Sequence, residues 1–246
     1  MRIKKEKVNI QYSDTKEFFA NRAKKYKEDN PYAVTMCQDD NPELVIKRNQ
    51  MEVGKLTPKL HFSENSIVLD IACGIGRWGE AIQTEIRQYC GIDFSGELIN
   101  IAKKRNDKKS YFFYEGSALN IQEIFEKEQK GTLFNTILIM GAQVLFNDED
   151  IPSFYKQVCN LCDEHAIICM REPVGIEERL TLKEFFSEEL QDNYNAIYRT
   201  REEYGAFFDE ILFQNGFVIK DEGFLFEGAE MNNRKETSQY YWVFER

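Results

Sequence analysis

The chemically densest run in the chain is Asp70-Ile71-Ala72-Cys73-Gly74-Ile75-Gly76-Arg77-Trp78-Gly79. It directly follows the apolar stretch Ile67-Val68-Leu69, and an isolated acid, Asp93, stands 17 residues beyond Gly76. Glycines directly after a strand allow a tight turn and let a ligand approach where a Cβ would obstruct it. An acid ending the next strand can accept hydrogen bonds from two ribose hydroxyls. The pattern therefore suits a nucleotide-type cofactor. Gly74-x-Gly76-x-x-Gly79 also matches the dinucleotide fingerprint literally, so a nicotinamide-dependent oxidoreductase is one reading. Its context differs: here Asp70 and two small residues intervene between strand and first glycine, and 66 residues precede Ile67. Taken singly, each feature also has a plain structural meaning. Gly74 and Gly76 would serve an ordinary strand-to-helix turn, Asp93 would cap the helix after it, and Phe94 would be core.

The elements that must position these residues alternate. Asp14-Thr-Lys-Glu17 has the form of a capping box opening a helix to Tyr26, and Asn41 with Pro42 opens a second helix to Leu56. Strands are expected at 67–71, 89–93, 111–115, 135–140 and 166–171, with helices at 77–88, 95–106, from 121, and 150–162 between them. Thr200-Arg-Glu-Glu203 again reads as a capping box, and Asn215-Gly216 as a stop. Two final strands, 217–226 and 239–244, should pair antiparallel because the polar loop between them is too short for a crossover helix. The fold class is α/β: a doubly wound, Rossmann-like, seven-stranded sheet with a C-terminal antiparallel hairpin and two extra N-terminal helices. We read one domain, comprising an N-terminal helical cap (1–60), a cofactor-binding core (61–172), a charged and aromatic substrate-side insertion (173–200), and a C-terminal helix and hairpin (201–246).

Composition narrows the partners. A chain of 246 residues with 42% hydrophobic content can bury one sizeable core, and its net charge of -10 argues against DNA or long RNA, which call for a basic face. The first residues lack an apolar leader core, and the longest apolar run, 136–146, is too short to span a bilayer, so a cytoplasmic protein without a membrane partner is expected. Cys159-x-x-Cys162 lies on an expected helix without a second pair. The two histidines, His61 and His165, precede the first and fifth strands of the alternating pattern, so neither a metal site nor disulfides are expected.

The spacing Asp70-x-x-x-Gly74-x-Gly76, the acid Asp93 and the terminal hairpin together resemble the class I S-adenosylmethionine-dependent methyltransferases. The resemblance covers 67–171 well and the flanking helices and hairpin more loosely. It implies S-adenosyl-L-methionine as cofactor and S-adenosyl-L-homocysteine as product. The turn from Cys73 to Gly76 would lie against the methionine moiety, with Asp70 in the same motif. Asp93 would take the ribose hydroxyls, and Phe94 would lie beside adenine. Where the family often places Asp-Ala at the adenine edge, this chain has Ser117-Ala118. Met140 and Gln143 stand where cofactor and substrate meet, and Trp78 would cover the cofactor or pack beneath it. Arg48 is a candidate partner for the cofactor carboxylate, with Arg22 and Tyr26 on helices that could close over it.

The acceptor pocket should lie beyond the carboxyl ends of the strands. Candidate substrate residues are Gln143, Arg171, Glu172, Tyr194, Tyr198 and Arg199; tyrosines four apart with adjacent arginines suit a polar, anionic group, although the same residues could form a solvated helix face. Methyl transfer from a sulfonium needs alignment and exclusion of water more than a strong base. With the histidines remote, a base would be Glu172, Asp148 or a tyrosine, or the acceptor would carry its own lone pair. The expected function is methyl transfer to O or N of a small polar, anionic metabolite such as a sugar or phosphorylated precursor. A weaker likeness to enzymes of bacterial surface-polysaccharide synthesis supports that choice. Alternatives are N-methylation of an amino sugar or peptide amine, and a non-catalytic cofactor-binding protein. A monomer or homodimer is expected.

Overall fold

The computed structural model describes residues 1–227 and 231–246. The apolar runs form β2 (Ile67–Ile71), β3 (Gln88–Asp93), β4 (Tyr111–Glu115), β5 (Phe134–Met140) and β6 (Cys162–Gly175), all parallel. Ahead of them come a short strand β1 (Arg2–Lys4) and helices α1 (Tyr12–Lys24), α2 (Ala33–Met36) and α3 (Pro42–Leu56). The crossovers are α4 (Arg77–Ala81), α5 (Gly96–Arg105), α6 (Ile121–Glu128) and α7 (Ile151–Leu161). After β6 come β7 (Leu180–Ser187), β8 (Asp192–Tyr198), α8 (Arg201–Phe207), β9 (Val218–Phe224) and β10 (Thr237–Glu245). The large sheet has the order β4-β3-β2-β5-β6-β10-β9, with β10 antiparallel to both neighbours, as the hairpin reading expected.

Strand alternation separates two cores. Met170, Val174, Trp242 and Phe244 pack with Phe154, Tyr155 and Phe208 on one face, while Cys169, Tyr241 and Val243 pack with Leu56 and Trp78 on the other. Adjacent residues of β6 therefore serve different faces, which decides the fate of Arg171 and Glu172 below.

Helix starts follow capping chemistry at three positions. Asn41 accepts from Leu44 N, Ser95 from Leu98 N, and Thr200 with Glu203 closes a full capping box. Asp14 does not cap: α1 begins at Tyr12, with Asp14 inside its first turn, where a carboxylate still favours the helix N-terminus. The expected helix 77–88 ends at Ala81. The β-branched Ile82, Thr84 and Ile86 follow it, and Ile82 is extended. Beyond Thr200 the α-helix passes into a π turn (Phe208–Leu212) and a 3-10 turn (Phe213–Asn215) before stopping at Gly216.

The insertion 173–200 forms a β-hairpin, so its tyrosines and arginines do not make a solvated helix face. β7 pairs antiparallel with β8, and β1 from the N-terminus adds a third strand in the order β1-β7-β8. Tyr194 and Tyr198 consequently lie on the same strand face, by the period of two rather than by helical spacing.

Candidate active site

The turn after β2 is built on left-handed backbone. Ala72, Gly74 and Gly76 have φ of 59°, 56° and 75°, and Gly76 caps α4. A Cβ on Gly74 would meet Thr35 Cγ2 of α2 at 2.5 Å, so glycine there lets the N-terminal cover lie directly on the turn. Asp93 links this turn to the next one: its Oδ2 accepts from Gly74 N and its Oδ1 from Ser95 N, each at 2.9 Å. It is therefore both a cap-like residue and a member of the glycine turn, and each oxygen keeps a second lone pair. Burial pushes Asp93 up to about 6, against the pull of those two backbone donors. Asp70, 2% exposed, accepts from Tyr89 Oη and is pushed up to about 7 by burial.

Three cavities adjoin one another over the carboxyl ends of the strands. The first, about 470 Å³, is lined by Asp93, Phe94, Ser117, Ala118 and Ala142, with Thr15 of α1 across from them. Its volume falls within the usual range of small-molecule sites. Ser117 Oγ is engaged with Leu119 N at 3.2 Å. A narrow second cavity, sharing Ala72 with the first, is lined by Asp70, Cys73, Trp78, Met140 and Arg171. The third, about 150 Å³, shares Met140 and Arg171 with the second and adds Arg48, Tyr194, Tyr198 and Gln239. Of the expected cofactor residues, Asp70, Cys73, Trp78, Asp93, Phe94, Ser117, Ala118 and Met140 lie along the first two cavities, Gly74 does not line them, and Arg171 with the two tyrosines lines the third. Gly76 lies behind this lining, against Asn106 and Phe113.

Three other expected substrate residues lie elsewhere. Glu172 is fully buried on the opposite face of β6 from Arg171, and its Oε1 and Oε2 accept from Gln143 N and Val144 N at 3.0 and 3.3 Å. Burial pushes it up to about 7. It holds the loop after β5 and does not line the acceptor cavity, so the reading of Glu172 as catalytic base is corrected. Gln143 is also fully buried, accepting from Tyr155 Oη. Arg199 is fully buried and donates to Gln143 O, Phe146 O and Asp148 at 2.6 to 2.8 Å, clamping the same loop from β8. Asp148, the other candidate base, is taken up by Arg179 and Arg199; burial raises it, but these arginines outweigh burial and hold it below its ordinary value.

Glu52 went unnoticed in the sequence. From α3, 1% exposed, it pairs with Arg77 and with Arg171 Nε (2.9 Å), and accepts from Trp78 Nε1 at 3.1 Å. Burial raises Glu52, but the Arg171 and Arg77 guanidiniums overcome it and hold its carboxyl below the usual range. Trp78 is thus pinned beside the passage by its indole nitrogen. A signal existed: the inward stripe of α3 reads Val45, Arg48, Glu52, Leu56, and two charged residues on such a stripe need buried partners. Arg22, 1% exposed, braces the cover by donating to Ala33 O, Val34 O and Asp39. Tyr26 Oη accepts from Arg105 Nη1 at 2.8 Å. His61 and His165 line a separate cavity at the amino-terminal edge of the sheet, with Glu245 and Arg246.

A family model described as a methyltransferase domain matches residues 62–245. No curated protein sequence matches the chain. Among solved structures, the chain is similar to phosphoethanolamine N-methyltransferase 1 of Haemonchus contortus, in complex with phosphoethanolamine and S-adenosylhomocysteine. The identity is 14%, the TM-score 0.69, and the match covers 96% of this chain and 50% of that one. It is also similar to the N-methyltransferase NodS of Bradyrhizobium japonicum WM9, in complex with S-adenosylhomocysteine (12% identity, TM-score 0.59, covering 95% and 98%). A third similar structure is the [4+2]-cyclase SpnF (13% identity, TM-score 0.58, covering 79% of each chain). At these identities the likeness is one of fold, and the cyclase illustrates that one fold hosts more than one reaction.

Proposed function

The chain belongs to the methyltransferase domain family, and from that premise we propose that it transfers a methyl group from S-adenosylmethionine to a small, polar, anionic acceptor seated in the third cavity. The observation that carries the cofactor assignment is Asp93. Its carboxylate is fixed by two backbone donors in the lining of the first cavity, beside Phe94, with lone pairs left for a ribose diol. Adenosine then occupies the cavity of Phe94, Ser117 and Ala118, and the methionine chain follows the passage by Cys73 and Met140. The sulfonium methyl faces the third cavity, where Arg171, Tyr194 and Tyr198 surround the acceptor.

The side chains align rather than deprotonate. Glu172 and Asp148 are committed to the loop after β5, and both histidines lie at the far edge. Burial raises the hydroxyls of Tyr194 and Tyr198 above their ordinary value, so they act as hydrogen-bond donors and not as phenolate bases. This favours an acceptor atom with its own lone pair: a carboxylate or phosphate oxygen, or an amine that has lost its proton to solvent before attack. A phosphorylated sugar or amino sugar fits that description. The named N-methyltransferases among the similar structures agree with the amine option. The experiment is release of S-adenosylhomocysteine from S-adenosylmethionine, followed by mass spectrometry across small phosphorylated and carboxylated amines and sugars. Release with such an acceptor supports the reading. Tight cofactor binding with no release across the panel favours a non-catalytic cofactor-binding protein.

A further inference from the structure

The third cavity is lined by buried charged side-chain atoms of opposite sign that have no hydrogen-bond partner among the described residues. Arg48, from the inward stripe of α3, is 5% exposed. Its Nη1 donates to Gln38 Oε1 at 3.2 Å, while its Nε has no hydrogen-bond partner among the described residues. Glu189, in the turn between β7 and β8, lines the same cavity, and its buried Oε1 likewise accepts nothing among the described residues. The neighbouring Arg171 differs in having a carboxylate in contact, Glu52, which it shares with Arg77, although its Nε also lacks a hydrogen bond among the described residues. A third cation, Arg234, enters from the segment before β10 and donates to Tyr198 Oη at 3.1 Å.

Leaving a buried charged donor or acceptor unmade is expensive, and such atoms persist chiefly where something else completes them. Burial pulls Arg48 below its ordinary value, with Glu189 opposing, as expected of a guanidinium with no contacting counter-ion among the described residues. Burial also raises Glu189, helped by Asp40 and Asp39 and opposed by Arg48 and Arg234, so the three acids together give their end of the cavity a negative charge that a cation would complement. Three elements distant in sequence thus bring one anion-seeking end and one cation-seeking end to a single small volume. We propose that the acceptor is a small zwitterion, held by its anionic group on Arg48, with Arg234 and Tyr198 beside it, and by its ammonium group at Glu189. This deepens the methyltransferase reading and rests on the third cavity being the acceptor site.

The test is calorimetric titration of the full chain, saturated with S-adenosylhomocysteine, with 2-aminoethylphosphonate and with ethylphosphonate, which lacks only the amine. The amino compound should bind about tenfold more tightly or better. Arg48→Gln should weaken both ligands by about tenfold or more, and Arg48→Lys should recover part of the loss because it restores the charge without the fork. Glu189→Gln should abolish the preference for the amine while leaving ethylphosphonate affinity within about twofold, whereas general damage to the cavity would weaken both. A thermal melt of each variant certifies that the fold survives, and unchanged S-adenosylhomocysteine affinity of Arg48→Gln separates the acceptor role from the alternative pairing of Arg48 with the cofactor carboxylate. Equal binding of the two phosphonates overturns the proposal. So does binding of neither by a protein that binds S-adenosylhomocysteine, or an Arg48→Gln variant of unchanged affinity. If the chain fails to bind S-adenosylhomocysteine at all, the methyltransferase reading itself falls.

Discussion

Asp93 performs two tasks with one carboxylate: it stitches the glycine turn to the start of α5, and it offers its remaining lone pairs to a ligand. Replacing it with alanine removes a charge-assisted hydrogen-bonding group, so Asp93→Ala should weaken S-adenosylhomocysteine binding by about 1 to 3 kcal/mol, read by calorimetry. Because burial raises Asp93 to about 6, cofactor affinity should also fall as pH drops through that value and the carboxylate is neutralised. Stability of the ligand-free protein should move the other way. Asp70, Asp93 and Glu172, at about 7, 6 and 7, hold their protons to higher pH than the unfolded chain does. Their contribution is complete below the unfolded values and is lost as pH rises through the folded ones. Glu52 and Asp148, held low, lose theirs only in more acidic solution. Thermal melts should therefore give a higher Tm at about pH 5 than at about pH 8; a Tm rising across that interval would contradict the assignments. Asp93 was legible in the sequence because strand, turn and acid are local. Glu172 was not, because only its place on β6 decides which of two adjacent residues faces the ligand.

At the scale of elements, what could be read was what neighbours in sequence determine. The caps at Asn41 and Thr200 follow from short-range hydrogen bonding and formed as expected, while Ser95, read as the first residue of its helix, is the cap of α5. Asn41→Ala should cost about 1 kcal/mol and lower Tm by roughly 2 to 4 °C, because α3 carries Arg48 and Glu52 into the site on the strength of that start. An unchanged Tm would mean that packing alone holds the helix. The β7–β8 hairpin, though local, was not read from the sequence, and its third strand was not legible, since it comes from Arg2–Lys4, some 180 residues away, and nothing local announces that pairing. The premature end of α4 was half-visible in its β-branched successors. Tyr194 and Tyr198 reached the cavity as the sequence suggested, but through strand geometry. Arg199, one residue on, became a clamp for the loop after β5.

For the whole molecule, the alternation of strands and helices placed all the cofactor candidates at one edge of the sheet and both histidines at the other. That separation was visible in the sequence, as were the sheet class and its terminal hairpin, because each follows from the order of apolar runs. The bound cofactor should also bridge the N-terminal cover and the sheet, since residues of α1 and α2 line the first two cavities. Ligand at about a hundred times its Kd adds roughly 2.7 kcal/mol to stability, so saturation with S-adenosylhomocysteine should raise Tm by roughly 5 to 10 °C. The most direct test of the central claim is calorimetric titration of ligand-free protein with S-adenosylhomocysteine and, separately, with NADH. The structure predicts micromolar binding of the first and none of the second. Binding of NADH alone would show that Gly74, Gly76 and Asp93 form a nicotinamide dinucleotide site, and the third cavity would then have to be explained by hydride transfer.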